Sequence, residues 1–469
     1  MHMAPVPTIR RSRSRLAGAF AGLVVLALMG CNADFRAGWD AYDVGDYDAA
    51  RSQWEPLAKE GHAKAQFLMG LMHDEGRGVA SDLDAALHWY TLAAAQGFAP
   101  AENNLGIMHQ LGRGVERDLE TAAAWYTRAA RGGHPGAQHN LGLLYLEGRG
   151  VERDEREARR WIRQAAEGGD GAAQFVYASM LEEGVGGPTS AMEAIEWHRL
   201  AAEQGVAASR FALGLAYETG DRVIRNGKRA AAYYGLAAKQ GHAAAQNNLG
   251  LMYLTGRGVE ANDAEAAYWQ AKAAGQGVAE AMFTLGWLYR HGRGVAEDDR
   301  EAVTWFERAA EQGLAVAQSS LGQCYIEGRG VERDLDRALA WFQRAAEQGE
   351  PRAQTNLAVM HLQGQTTQRD PAAAAAWLER AAMQGESEAQ RRLGAMYEQG
   401  LGVEADPQRA YLWYSLAIES GSDEASARLE SLRASMSDSA IDQAERFVRR
   451  WQKRHDVEPG VVASVPTLD

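Results

Sequence analysis

A glycine stands at Gly61, Gly97, Gly133, Gly169, Gly205, Gly241, Gly277, Gly313, Gly349, Gly385 and Gly421, a spacing of 36 residues held without a single insertion. A second column, following leucine in most units, keeps the same step: Gly70, Gly106, Gly142, Ala178, Gly214, Gly250, Gly286, Gly322, Ala358 and Gly394. A constant period of this size means a solenoid, in which each unit buries its apolar face against its neighbours. That constraint overrides the two or three separate domains that 469 residues would otherwise suggest.

Within a unit the apolar columns resolve into two helices. In the unit opened by Gly61, Ala65, Met69, Met72 and His73 fall on one helical face and predict a helix from about His62 to Glu75. Ala86, Trp89, Tyr90, Ala93 and Ala94 predict a second from Asp82 to Gln96. Gly76 and Gly97 stand where a left-handed residue ends a helix, and Asp82 where a side-chain oxygen caps one. The cap column continues as Asp118, Asp154, Ser190, Asn226, Asn262, Asp298, Asp334, Asp370 and Asp406. The small residues at Gly70, Gly106, Gly142, Gly250, Gly286 and Gly322 and the alanines of the second helix leave space between the helices. One large ring per unit is expected to fill it: Trp89, Trp125, Trp161, Trp197, Tyr233, Trp269, Trp305, Trp341, Trp377 and Trp413. The expected class is an all-α solenoid superhelix of about eleven helix-turn-helix units.

Residues 1–30 differ in kind. Arg10, Arg11, Arg13 and Arg15 precede a fifteen-residue apolar run, too short to span a bilayer comfortably and typical of an export signal. "LMGC", Leu28 to Cys31, resembles a bacterial lipobox, although Met29 replaces the usual small residue; the resemblance implies a lipid on Cys31 and membrane contact through it. Removing the segment takes the net charge from −13 to −17, which excludes nucleic acid as a partner and would repel anionic headgroups from an untethered chain. With Cys31 lipidated, Cys324 has no disulfide partner.

The assembled pattern, A-Q-x-x-L-G-x-x-Y-x-x-G-x-G-V-x-x-D-x-x-x-A-x-x-W-x-x-x-A-A-x-x-G, resembles the Sel1-like repeat, a relative of the tetratricopeptide repeat. The resemblance implies a superhelix of paired helices acting as an adaptor for other proteins. It divides the chain into a signal (1–30), a capping pair (31–60), ten repeats (61–421), closing helices (422–455) and a loose tail (456–469). Three loops depart from G-x-G-V, at Gly184–Ser190, Gly220–Asn226 and Gly364–Asp370, and are expected to differ in shape.

No catalytic constellation, metal site or cofactor motif emerges. His73, His109 and His361 replace tyrosines of a packing column, and no two histidines have the i, i+4 spacing of a zinc pair. Cys324 sits in a methionine-rich core column. The loop glycines lack a P-loop lysine, and nothing marks a hydrolase nucleophile. Function is therefore sought on surfaces. If the first helix lines the concave wall, as in the family, Asn104, Asn140, Asn248 and Asn356 are candidate partner contacts. The column Gln66, Gln138, Gln174, Gln246, Gln318, Gln354 and Gln390 either joins them or bonds backbone between units. Arg77, Arg113, Arg149, Arg257, Arg293 and Arg329 either meet nearby carboxylates or track an acidic glycan. The leading expectation is an exported, lipid-anchored, periplasm-facing scaffold for envelope proteins; a factor binding an exopolysaccharide or cell-wall glycan is the alternative.

Overall fold

The two stripes of each unit become two helices with the caps their side chains dictate. In the first repeat His62 accepts the Ala65 N–H to open the helix Ala63–Glu75, and Gly76, left-handed at φ +70°, closes it. Asp82 accepts the Ala85 N–H to open Leu83–Ala95. The computed structural model describes residues 33–364 and 368–454; residues 1–30, Cys31, the tail 456–469 and part of the Gly364–Asp370 loop lie outside them. Among the described residues there are 24 helices and no strand. Ser190 is the exception in the cap column, since its side chain makes no cap bond. Burial holds His134 and His242 below the usual imidazole range, which keeps the ring neutral and its Nδ1 able to accept from Ala137 and Ala245.

The described chain falls into two compact units, one ending at Ser209 and one beginning at Arg210. The first opens with the pair Ala33–Asp43 and Tyr47–Lys59, joined by a short turn, and continues with four repeats. In it each helix packs on the helices before and after it, and the core is a file of four successive clusters. The second unit carries the remaining repeats up to Pro407–Glu419, against which both Asp423–Ser435 and Asp438–Arg454 pack. This is an all-α solenoid. We call the two helices of a repeat A and B.

The wedge between A and B is one residue later than the sequence pattern proposed. A Cβ at Gly70, Gly106 or Gly142 would come within 2.6 Å of Tyr90, Tyr126 or Ile162, and one at Gly250, Gly286 or Gly322 within 2.8 Å of Gln270, Phe306 or Phe342. Residues four apart stack on one helix face, so the side chain following Ala86 by four, Tyr90, points at the glycine. Trp89, Trp125, Trp305 and Trp341 turn roughly 100° away and lie half-buried. Trp161, at 9 % exposure, is the most buried of these five, yet Gly142 still faces Ile162. The outer ring faces are covered by arginines: Arg128 lies 4.7 Å from the Trp125 centroid, Arg308 4.6 Å from Trp305 and Arg344 4.7 Å from Trp341.

Repeats are spaced by the second loop glycine. A Cβ on Gly294 would stand 2.0 Å from the Asp263 carbonyl oxygen, and one on Gly330 2.1 Å from that of Asp299, each at the start of the preceding B helix. The two loops that break the motif and are described in full nevertheless keep its shape. Gly184 and Gly186 retain the left-handed pair, with Arg159 donating to the carbonyls of Val185 and Pro188 at 3.2 and 2.8 Å. All three loops close with the same bond, from the Ser190, Asn226 and Asp370 N–H to the Leu181, Tyr217 and His361 carbonyls. Where the second glycine is missing, Arg222 itself adopts φ +65°. Such a conformation costs a side-chain-bearing residue on the order of 1 kcal/mol or more. Arg222→Gly should therefore stabilise the protein by about 1 kcal/mol in urea titration; an unchanged or lowered midpoint would contradict strain at this loop.

Candidate binding face of the repeats

The A helix buries most of its surface. In Ala99–Leu111 the side chains left open include Pro100, Asn104, Ile107 and Leu111, in steps that follow one helical stripe; Ala244, Asn248, Leu251 and Thr255 do the same in Ala243–Thr255. Asn140 with Leu143, and Asn356 with Val359, repeat the arrangement. All four candidate asparagines are thus half-buried rather than fully exposed, each three residues before an aliphatic side chain that is also half-buried. The aliphatic column was not singled out from the sequence. Its signal was present as the strings NNLGI, HNLGL, NNLGL and TNLAV.

Three of the four asparagines are anchored from below. Asn104 accepts from Asn103 at 3.4 Å and bonds the Tyr90 hydroxyl; Asn140 donates to Asn103 at 3.3 Å. Asn248 likewise accepts from Asn247 at 3.4 Å and bonds Tyr234. Burial and the neighbouring carboxylates push both tyrosine hydroxyls up, so they stay protonated. An amide has two donors and two acceptor lone pairs, so an anchored asparagine still holds one of each toward solvent.

The glutamines belong to the structure instead. Gln66, Gln138, Gln174, Gln246, Gln318, Gln354 and Gln390 are buried and donate, at 3.0 to 3.2 Å, to the carbonyl eight residues earlier, in the preceding helix. In five repeats the amide oxygen accepts from a second glutamine 30 residues later: Gln96, Gln204, Gln276, Gln348 and Gln384. One substitution carries its own repair. Glu102 replaces the donor, and Arg128 pairs with it at 2.8 Å while donating to the Ala94 carbonyl at 3.1 Å.

The loop arginines are also spoken for. Arg77 pairs with Glu75, Arg113 with Asp74, Arg149 with Glu147, Arg257 with Glu218, Arg293 with Asp263 and Arg329 with Asp299. Four of the six reach a carboxylate 30 or 39 residues back, in the preceding repeat, rather than one in their own loop. Burial pushes the Cys324 thiol up to about 11. His73, His109 and His361 lie half-buried in the tyrosine column, each with an Nδ1 that has no hydrogen-bond partner. Among the described residues no three His, Cys, Asp or Glu side chains gather as a metal would require.

Comparison with known proteins fits this geometry. The Sel1 repeat matches ten consecutive segments, from residues 63–98 through residues 387–422. A protective antigen of uropathogenic Escherichia coli displaying an SLR fold shares 32 % identity, covering 89 % of this chain and 99 % of its own, with a TM-score of 0.67. A Sel1 repeat protein from Oxalobacter formigenes shares 33 % identity over 66 % of this chain and 89 % of its own, with a TM-score of 0.52. No curated protein matches. Sel1-repeat proteins are in general scaffolds for protein interaction. Ten matched segments in unbroken register, glycines seated under rings, and a glutamine seam between repeats make this chain a member of the Sel1-repeat family.

Proposed function

We propose that the protein is a non-enzymatic adaptor of the bacterial cell envelope, lipidated at Cys31, which holds a segment of a partner protein against its A helices. The observation that carries the reading is the pairing of an anchored amide with an aliphatic side chain at Asn104 and Ile107, Asn140 and Leu143, and Asn248 and Leu251, a spacing that Asn356 and Val359 repeat. A bound segment presents peptide groups that need donors and acceptors, and side chains that need an apolar seat; this stripe offers both at each of these repeats. Because the amides of Asn104, Asn140 and Asn248 are already held from below, little of their side-chain entropy remains to be lost on binding. The export reading rests on the basic flank, the short apolar run and Leu28 to Cys31. That the relative from uropathogenic Escherichia coli is a protective antigen is in keeping with it. The acidic-glycan alternative loses its main support, since every arginine of the proposed row has a carboxylate partner.

A photo-crosslinking residue at Leu143 or Leu251 should trap one discrete protein adduct in the native envelope, and the same probe at Tyr268, exposed on a B helix, should not. Equal adducts from both faces would refute the A-helix assignment. Palmitate labelling should vanish in Cys31→Ser; label that persists removes the lipid anchor.

A further inference from the structure

The last helix reverses the charge of the chain. Residues 446–454 carry four arginines and one lysine with no acidic side chain, in a protein of net charge −13. Arg446, Arg449, Arg450, Lys453 and Arg454 are all exposed, and their spacing of three and four places them on one side of the helix Asp438–Arg454. The other side is fixed: Ala444 and Val448 are buried, and Ile441, Phe447 and Trp451 pack on the closing core, with Trp451 edge-on to Trp413 at 5.7 Å. The helix cannot roll its cations inward. Internal carboxylates do little to neutralise them. Arg449 stands 3.8 Å from Glu445, and Arg450 donates only to the Arg446 carbonyl, at 3.3 Å.

We propose that this helix docks the C-terminal end of the protein on an anionic phospholipid surface. The five cations span about 12 Å of helix with no apolar seat between them, so the patch has charge without shape. A fluid bilayer suits it, because mobile headgroups gather under fixed cations, whereas a folded partner would have to match their positions. The acidic remainder of the chain is repelled by the same surface, which confines contact to this end. No described helix is long and apolar enough to cross a membrane, and the attachment is peripheral.

The test is sedimentation of the full chain with vesicles of phosphatidylcholine alone or with 30 % phosphatidylglycerol added, wild type against Arg446→Gln/Arg450→Gln/Lys453→Gln. These side chains face solvent, so melting should be unchanged. Wild type should prefer the anionic vesicles, lose that preference in high salt, and lose about 100-fold in partition on substitution, as three basic side chains near such a surface imply. An apolar or lipidated N-terminus raises binding to both vesicles and both proteins alike, so the difference reports the helix. Equal partition of wild type and variant on anionic vesicles overturns the proposal. So does charge-dependent binding to polyglutamate with no preference between the two vesicles, which would assign the patch to an acidic protein.

Discussion

Phe306→Ala should cost about 3–5 kcal/mol, whereas Trp305→Ala, one residue away and a larger side chain, should cost only about 1–2 kcal/mol. Phe306 is fully enclosed, with its ring against Gly286 and tilted 36° to that of Phe283 at 5.7 Å, so truncation leaves a cavity that flanking backbone cannot collapse into. Trp305 is half-buried, and its loss removes part of an apolar face and a guanidinium contact while water fills the space. Urea unfolding followed by hydrogen exchange in Ala279–Arg290 and Asp299–Glu311 reads both effects, since neighbouring repeats need not unfold as one. A greater loss at Trp305 than at Phe306 would return the wedge to the tryptophan column.

Gly294→Ala should be still less tolerable than a glycine's φ alone explains. At φ +71° any side chain is strained, by roughly 1–2 kcal/mol. The added methyl would also stand 2.0 Å from the Asp263 carbonyl oxygen, a backbone atom at the start of the preceding B helix that yields only if the two repeats part. The expected loss exceeds about 3 kcal/mol. Gly313→Ala is the control, because Gly313 is left-handed at φ +91° with nothing within 4 Å of its would-be Cβ. It should cost only about 1 kcal/mol. Equal losses at the two sites would mean that the inter-repeat contact contributes nothing.

Much of this architecture is legible in the residues themselves. The period, the helix pairs and all but one of the B-helix caps follow from spacing and from the chemistry of Asp82 and its column. The wedge was misread for a physical reason. Trp89 and Tyr90 both lie within the broad apolar stripe measured from Ala86, so periodicity alone does not say which points at the glycine. Uniformity then favoured the tryptophans, while the true wedge column runs through Tyr90, Ile162, Gln270, Phe306 and Leu378. A buried position tolerates that variety when volumes are matched by the neighbours, whereas the tryptophan recurs because its edge and face meet different surroundings. The glutamines stayed ambiguous in sequence because an amide reads alike whether it serves a partner or a carbonyl eight residues back. What resolves them is the second glutamine 30 positions on, and the arginine that appears where the first becomes Glu102. The Ile107 column was overlooked because a lone aliphatic on a helix of this kind is read as core.

The glutamine seam asks unusually little of what lies beside it. Gln318 and Gln348 fall in the same 36-residue segment, as do Glu102 and Arg128, and the only thing each borrows from next door is a main-chain oxygen. Every helix end supplies such an oxygen whatever its side chains. A gene segment encoding one such unit can therefore be copied, lost or moved along the array by recombination without a matching mutation at this seam in the unit that receives it, which leaves the loop ion pairs to be matched between neighbours.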